Sequence, residues 1–151
     1  GYPVKLVFFG ECNFPEFENL IKNNWVKECV KISGYLEREE YQIAMELCDM
    51  VINLRYPSMG EASGTLCEAF KMGKPVIVTA CNQYLEYPDD VCWKLPLEDN
   101  EIETLTELLY YLLENKEVRE RLGKNAKEYA DNLISGENIA NLYLQVLQED
   151  I

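Results

Sequence analysis

Two glutamates, Glu61 and Glu68, flank a Ser63-Gly64-Thr65 turn in the run GEASGTLCEAFKMGKPVIV, which spans residues 60 to 78. A loop that becomes a helix at Ser63 to Thr65 presents backbone N–H groups with no intrahelical acceptor. The aligned peptide dipoles add partial positive charge there, which suits a phosphate or diphosphate. Gly64 lets the backbone approach such an anion with no Cβ in the way. One carboxylate can accept from two adjacent hydroxyls, so paired glutamates beside an anion site suit a ligand with both phosphate and sugar parts. The same residues also admit a plainer reading: Glu61 as a carboxylate favoured by the helix dipole, Glu68 as an exposed helical residue.

The elements around this turn read as alternating strands and helices. Strand-like apolar runs occur at Val4 to Phe9, Val30 to Ser33, Met50 to Leu54 and Val76 to Thr79, with a weaker one around Val91 to Lys94. None alternates strictly, which predicts strands buried on both faces. Between them lie the helical stretches PEFENLIKNNWV, EREEYQIAMELCD and SGTLCEAFKMG, the last closed by Gly73 and followed by Pro75. This order predicts an α/β fold: a doubly wound, Rossmann-like parallel sheet of about five strands with helices on both faces. Three loops then lead from strand ends toward helix starts, where ligands of open α/β sheets bind: Gly10-Glu11, Gly34-Tyr35-Leu36, and Tyr56 to Thr65.

Beyond Pro96 the pattern is helical only. Leu105, Leu108, Leu109 and Leu112 make one stripe, Val118, Leu122, Ala126 and Tyr129 a second, and Ile139, Leu142, Tyr143, Val146 and Leu147 a third, with Ser135 as N-cap of the last helix. No linker, repeat or low-complexity tract interrupts residues 1–151, so the expectation is a single domain.

Composition narrows the chemistry. The chain has 14 Lys and Arg against 27 Asp and Glu, a net charge of −13, which disfavours nucleic acid and anionic membrane surfaces as partners. It has no histidine, so proton transfer at neutral pH would fall to carboxylates or to another domain. The six cysteines form no CxxC pair and sit mostly in apolar runs, which predicts buried, reduced thiols, no metal site and a cytoplasmic setting. No apolar run is long enough to cross a membrane. The first residue is Gly1, close to the strand run VKLVFF, which predicts a segment of a longer protein.

The run INLRYPSMGEASGTLCEAFKMGKPVIVTACNQYLEYPDD resembles the donor-site segment of the retaining glycosyltransferases of family 4 (group 1), which have the GT-B architecture. Asp49, Pro57-Ser58, Glu61, Gly64, Glu68-Ala69 and Gly73-Lys74-Pro75-Val76-Ile77 follow the family's order, and VKLVFFGE and VKISGYL resemble its preceding strands. The spacing departs from the family: six residues separate Glu61 from Glu68 where seven are usual.

The resemblance implies the C-terminal, donor-binding half of an enzyme that transfers a sugar from a nucleotide-activated donor to an acceptor hydroxyl with retention. The N-terminal acceptor domain would be missing, along with the strand and helix that bear the family's diphosphate-neutralising arginine and lysine. By carry-over, Glu68 would bind ribose hydroxyls and Glu61 would face the donor sugar as the catalytic carboxylate. The backbone of Ala62, Ser63, Gly64 and Thr65 would hold the diphosphate. Gly10 would let the first loop approach the nucleotide, with Gly34, Tyr35 and Leu36 near its base. Arg55 could supply missing positive charge at the diphosphate or simply end a strand, and Tyr35 could stack on the base or pack. Asn82 and Gln83 are plausible sugar contacts, and Glu86 aligns with a glutamate of the family's next loop. The resemblance implies no metal or other cofactor besides the nucleotide-sugar substrate, whose base is open, and an isolated half that is inactive. A non-catalytic nucleotide- or carbohydrate-binding module and an interaction domain of the same fold are the alternatives.

Overall fold

The computed structural model describes residues 3–22 and 26–149. The chain divides into two compact units with the boundary between Leu47 and Cys48.

The first unit holds β1 (Leu6–Phe8), α1 (Pro15–Ile21), α2 (Val26–Cys29), β2 (Val30–Ile32) and α3 (Arg38–Leu47). The strands β1 and β2 pair in parallel, Leu6 with Val30 and Phe8 with Ile32. The helix expected over PEFENLIKNNWV ends at Ile21, and its Asn23, Asn24 and Trp25 lie outside the described residues. One expectation is corrected: neither strand of this unit is buried, since Leu6, Val7 and Phe8 each leave more than a third of their surface open and in β2 Val30 and Ile32 are half-buried on either side of an exposed Lys31. An apolar strand run records what a sheet would bury, and a two-stranded ladder has too little breadth to cover its own faces.

The second unit holds β3 (Val51–Asn53), α4 (Gly64–Lys71), β4 (Val76–Thr79), a 3-10 turn η1 (Asn82–Glu86), β5 (Trp93–Leu95), α5 (Glu101–Glu114), α6 (Lys116–Leu133) and α7 (Gly136–Glu149). Its sheet runs β3-β4-β5, all parallel. The middle strand β4 is buried at every residue, as its unbroken Val-Ile-Val-Thr run predicts for a strand covered on both faces. All five strand runs therefore form strands with parallel partners, but in one two-stranded and one three-stranded sheet. Local pattern marks a strand without naming its neighbour, because a parallel neighbour is chosen by the crossover connection.

The stripes read from α5 and α6 form the core of the second unit. Leu108, Leu112 and Leu122 cluster with Ile77 and Leu95, and Leu105, Leu109 and Val118 pack around them. The third stripe forms the helix α7 and leaves its apolar side open, with Tyr143 at 70% and Leu147 at 64% exposure. Ser135 caps this helix, its Oγ accepting from the Asn138 amide at 3.2 Å.

The end of α4 fixes where α6 can lie. Gly73 takes φ +65°, its N–H donates to Phe70 O and the Lys74 N–H donates to Ala69 O, both at 2.9 Å. This pair of bonds satisfies the last carbonyls of the helix and requires a residue that tolerates the left-handed region. Gly123 of α6 presses on the same turn: a Cβ there would stand 2.1 Å from Gly73 O. The two glycines let helix and turn meet backbone to backbone.

Candidate donor site

The site begins with a strand end that holds a helix start. Asn53, the last residue of β3, is buried, and its Nδ2 donates to Ser63 Oγ at 3.1 Å. The same hydroxyl accepts from the Leu66 amide at 3.3 Å, so Ser63 is the N-cap of α4. The cap uses one of the first free N–H groups. Those of Gly64 and Thr65 have no acceptor among the described residues. Apart from Gly64 itself, its two chain neighbours and the backbone of its own helix, no atom lies within 4 Å of where a Gly64 Cβ would stand, so the space on that side of the residue is open. An eight-residue helix thus presents two unmet amides and its positive dipole end on an accessible surface.

The loop from Tyr56 to Ala62 precedes this helix start and carries Glu61. Among the described residues, the backbone groups of 56–62 make no hydrogen bond to other backbone groups. The loop is held by side chains instead. Gln83 Nε2 donates to Glu61 O at 2.8 Å, while Ser58 Oγ donates to Gln83 Oε1 at 3.0 Å. Asn82, with φ +46°, donates from Nδ2 to Ser58 O at 3.2 Å. Gly60 turns the chain at φ +84°, and its amide donates to Ser58 Oγ at 3.3 Å.

The Glu61 carboxylate is anchored at both oxygens. Arg55 Nη1 donates to Oε1 at 3.2 Å and the Met59 amide donates to Oε2 at 2.9 Å. Hydrogen bonding by its own main-chain amide, helped by Arg55 and Met59 and opposed by partial desolvation, holds this carboxyl below its ordinary value. Arg55 is fixed in turn by its backbone, whose N–H donates to Thr79 Oγ1 at 2.9 Å. Glu68 is half-buried in the second turn of α4, and its carboxylate has no partner among the described residues.

Ser63, Gly64 and Thr65 therefore form one helix start with two unmet amides, Ala62 is exposed just before it, and Arg55 and Glu61 meet in an ion pair. In the first unit Gly10 and Gly34 are brought together, the Gly10 amide donating to Gly34 O at 3.0 Å, with both glycines at positive φ. Tyr35 beside them is 74% exposed and Leu36 is half-buried. Asn82 and Gln83, expected as sugar contacts, use their amides to bind the 58–61 loop. Glu86 lines a cleft of about 280 Å³ in the second unit, with Gly60, Ala62, Gln83, Tyr87 and Tyr129.

Sequence reading did not single out Asn53 or Thr79, whose only local signal is a polar residue closing an apolar strand. The rings of Phe70, Tyr87 and Tyr129 pack edge to face near the cleft, with centroids 5.4 Å and 5.7 Å apart for Phe70–Tyr87 and Tyr87–Tyr129. Burial pushes the Tyr87 hydroxyl up to about 12. Among the described residues no cluster of three His, Cys, Asp or Glu could hold a metal ion, and no helix is long and apolar enough to cross a membrane.

Comparison with solved structures finds the same fold in several proteins. Sucrose-phosphate synthase from Thermosynechococcus elongatus superposes over 97% of this chain with a TM-score of 0.72 at 21% identity, the match covering 38% of that protein. HepE of Anabaena, solved in complex with UDP-glucose, gives a TM-score of 0.77 at 19% identity over 97% of this chain and 41% of its own. WaaG, a glycosyltransferase involved in lipopolysaccharide biosynthesis, gives 0.66 at 25% identity over 84% of this chain and 34% of its own. The chain thus spans well under half the length of these proteins. No curated protein sequence matches it. Residues 1–129 match the family model for glycosyl transferases group 1, and the chain belongs to that family.

Proposed function

We propose that this chain is the donor-binding half of a retaining glycosyltransferase. In this reading the start of α4 receives the diphosphate of a nucleotide-sugar, and the hexosyl group passes to an acceptor hydroxyl held by a domain outside this chain. The observation that carries the reading is the pair of unmet amides at Gly64 and Thr65, with open space beside Gly64, directly after the loop that carries Glu61. The solution of HepE with UDP-glucose supports the same class of ligand, as does membership of the group 1 family.

The chemistry follows from the groups present. The N–H groups of Gly64 and Thr65 neutralise charge on the leaving diphosphate as the glycosidic bond breaks, without a metal. Glu68, uncommitted in the second turn, accepts from the ribose hydroxyls, and Glu61 faces the sugar. Arg55 shares its charge between Glu61 and the diphosphate. Since the acceptor site lies elsewhere, the isolated chain binds donor and turns none over. Titration calorimetry with UDP, GDP and ADP tests this. Binding of one of the three is expected, and a folded chain that gives no heat with any of them would overturn the proposal.

A further inference from the structure

We propose that Gln83 is the positioning residue that aims the Glu61 carboxylate. The loop from Tyr56 to Ala62 contains no backbone ladder or turn bond of its own among the described residues, so its shape depends on the side chains that bracket it. Gln83 is the bracket with a bond to each side. Its Nε2 grips the carbonyl of Glu61 itself, and its Oε1 holds Ser58 Oγ, which in turn receives the Gly60 amide. Both loop arms are thus tied to one planar amide, and Gly60, between them, turns at φ +84°. With its main chain fixed at the carbonyl, Glu61 presents its carboxylate where the Met59 amide and Arg55 Nη1 meet it.

Gln83 stands on η1, directly after β4, and Arg55 follows β3, whose backbone is tied to Thr79 of β4. Two neighbouring strand ends therefore hold the two ends of the carboxylate's setting.

The inference rests on the donor-site reading only for its effect on ligand; its structural half stands apart, and the experiment separates them. Gln83→Met keeps length and bulk while removing both hydrogen bonds, and Gln83→Ala serves as a second variant. In the first measurement, carbon-13 NMR follows the Glu61 carboxyl through a pH titration. The wild type is expected to titrate below 4.5, and both variants to move up toward that ordinary value while melting within a few degrees of wild type. An unchanged Glu61 titration in the variants would overturn the proposal, because a merely structural glutamine would leave it alone.

The second measurement compares the nucleotide that binds with its hexose ester, among UDP-glucose, GDP-mannose and ADP-glucose. Gln83→Met is expected to lose about tenfold of the preference for the sugar-bearing form, with free nucleotide binding kept. In a Glu61→Gln background the same change is expected to do nothing further. Equal weakening of both ligands, or a full loss persisting in the Glu61→Gln background, would overturn the positioning role. A wild type that binds no nucleotide but shows the expected NMR shift would sink the donor reading and support the positioning role.

Discussion

Glu61 and Glu68 face opposite circumstances, and each leads to its own prediction. Glu61 is bonded to Arg55 and the Met59 amide, so its ionised form is favoured in the folded loop. A carboxyl with a lowered folded value contributes order that is fully present above the ordinary value of 4.5 and is lost as pH falls through the depressed one. Donor affinity is therefore expected to hold from pH 7 down to about 5 and to fall below 4.5, which calorimetry across that range would read. Arg55→Ala should bring the fall to higher pH, since a contributor to the lowered value is gone. Glu68 has no competing partner among the described residues. On the proposed reading its carboxylate makes charge-assisted bonds to ribose, each worth roughly 1.5–3 kcal/mol. Glu68→Gln should weaken nucleotide binding about tenfold or more with no change in melting temperature.

At the scale of elements, the junction between β3 and α4 matters most. Ser63 Oγ serves two donors, the Leu66 amide and the Asn53 side chain, and it is almost fully buried. Ser63→Ala removes the cap, costing about 1 kcal/mol, and leaves the buried Asn53 amide without its acceptor, adding roughly 1–3 kcal/mol. Urea unfolding should show a loss of about 2–4 kcal/mol, larger than an isolated cap would give. Ser63→Thr retains the hydroxyl and should recover most of it. On the proposed reading nucleotide affinity should fall with Ser63→Ala as well, because the cap fixes the start of the helix that carries the Gly64 and Thr65 amides.

At the scale of the whole molecule, one backbone contact bears on stability and the burial of cysteines on reactivity. Gly123→Ala would drive a methyl group into the Gly73 carbonyl, 2.1 Å away, where the obstacle is backbone and cannot rotate aside. Overpacking of this kind costs about 1–3 kcal/mol, and the gain in helix propensity offsets roughly 1 kcal/mol of it. A lower urea midpoint is expected despite the better helix former; an unchanged one would show that α6 can shift. None of the six cysteines, all among the described residues, forms a disulfide. Burial pushes the Cys92 thiol up to about 11, whereas Cys29 is exposed. Iodoacetamide at pH 8 should label Cys29 quickly and leave Cys92 almost unmodified until the chain unfolds, as peptide mass spectrometry would record.

Much of this was legible in residue order. The unbroken apolar run at β4, the Gly73-Lys74-Pro75 stop and the leucine stripes of α5 and α6 each have one local solution that buries them, and each was found there. Ser63 as the start of α4 was readable for the same reason, since a cap is a bond between near neighbours. Partners far apart in the chain were not. The bonds of Gln83 to Glu61, of Asn53 to Ser63 and of Arg55 to Thr79, and the meeting of Gly73 with Gly123, join residues that carry no mutual pattern. Exposure was equally hidden: the stripes of β1 and α7 read like those of buried elements, yet both lie open. Periodicity is written into a segment by its own backbone geometry, so sequence alone determined the elements. Which surfaces meet depends on the path of the chain between them, and only the tertiary structure decided that.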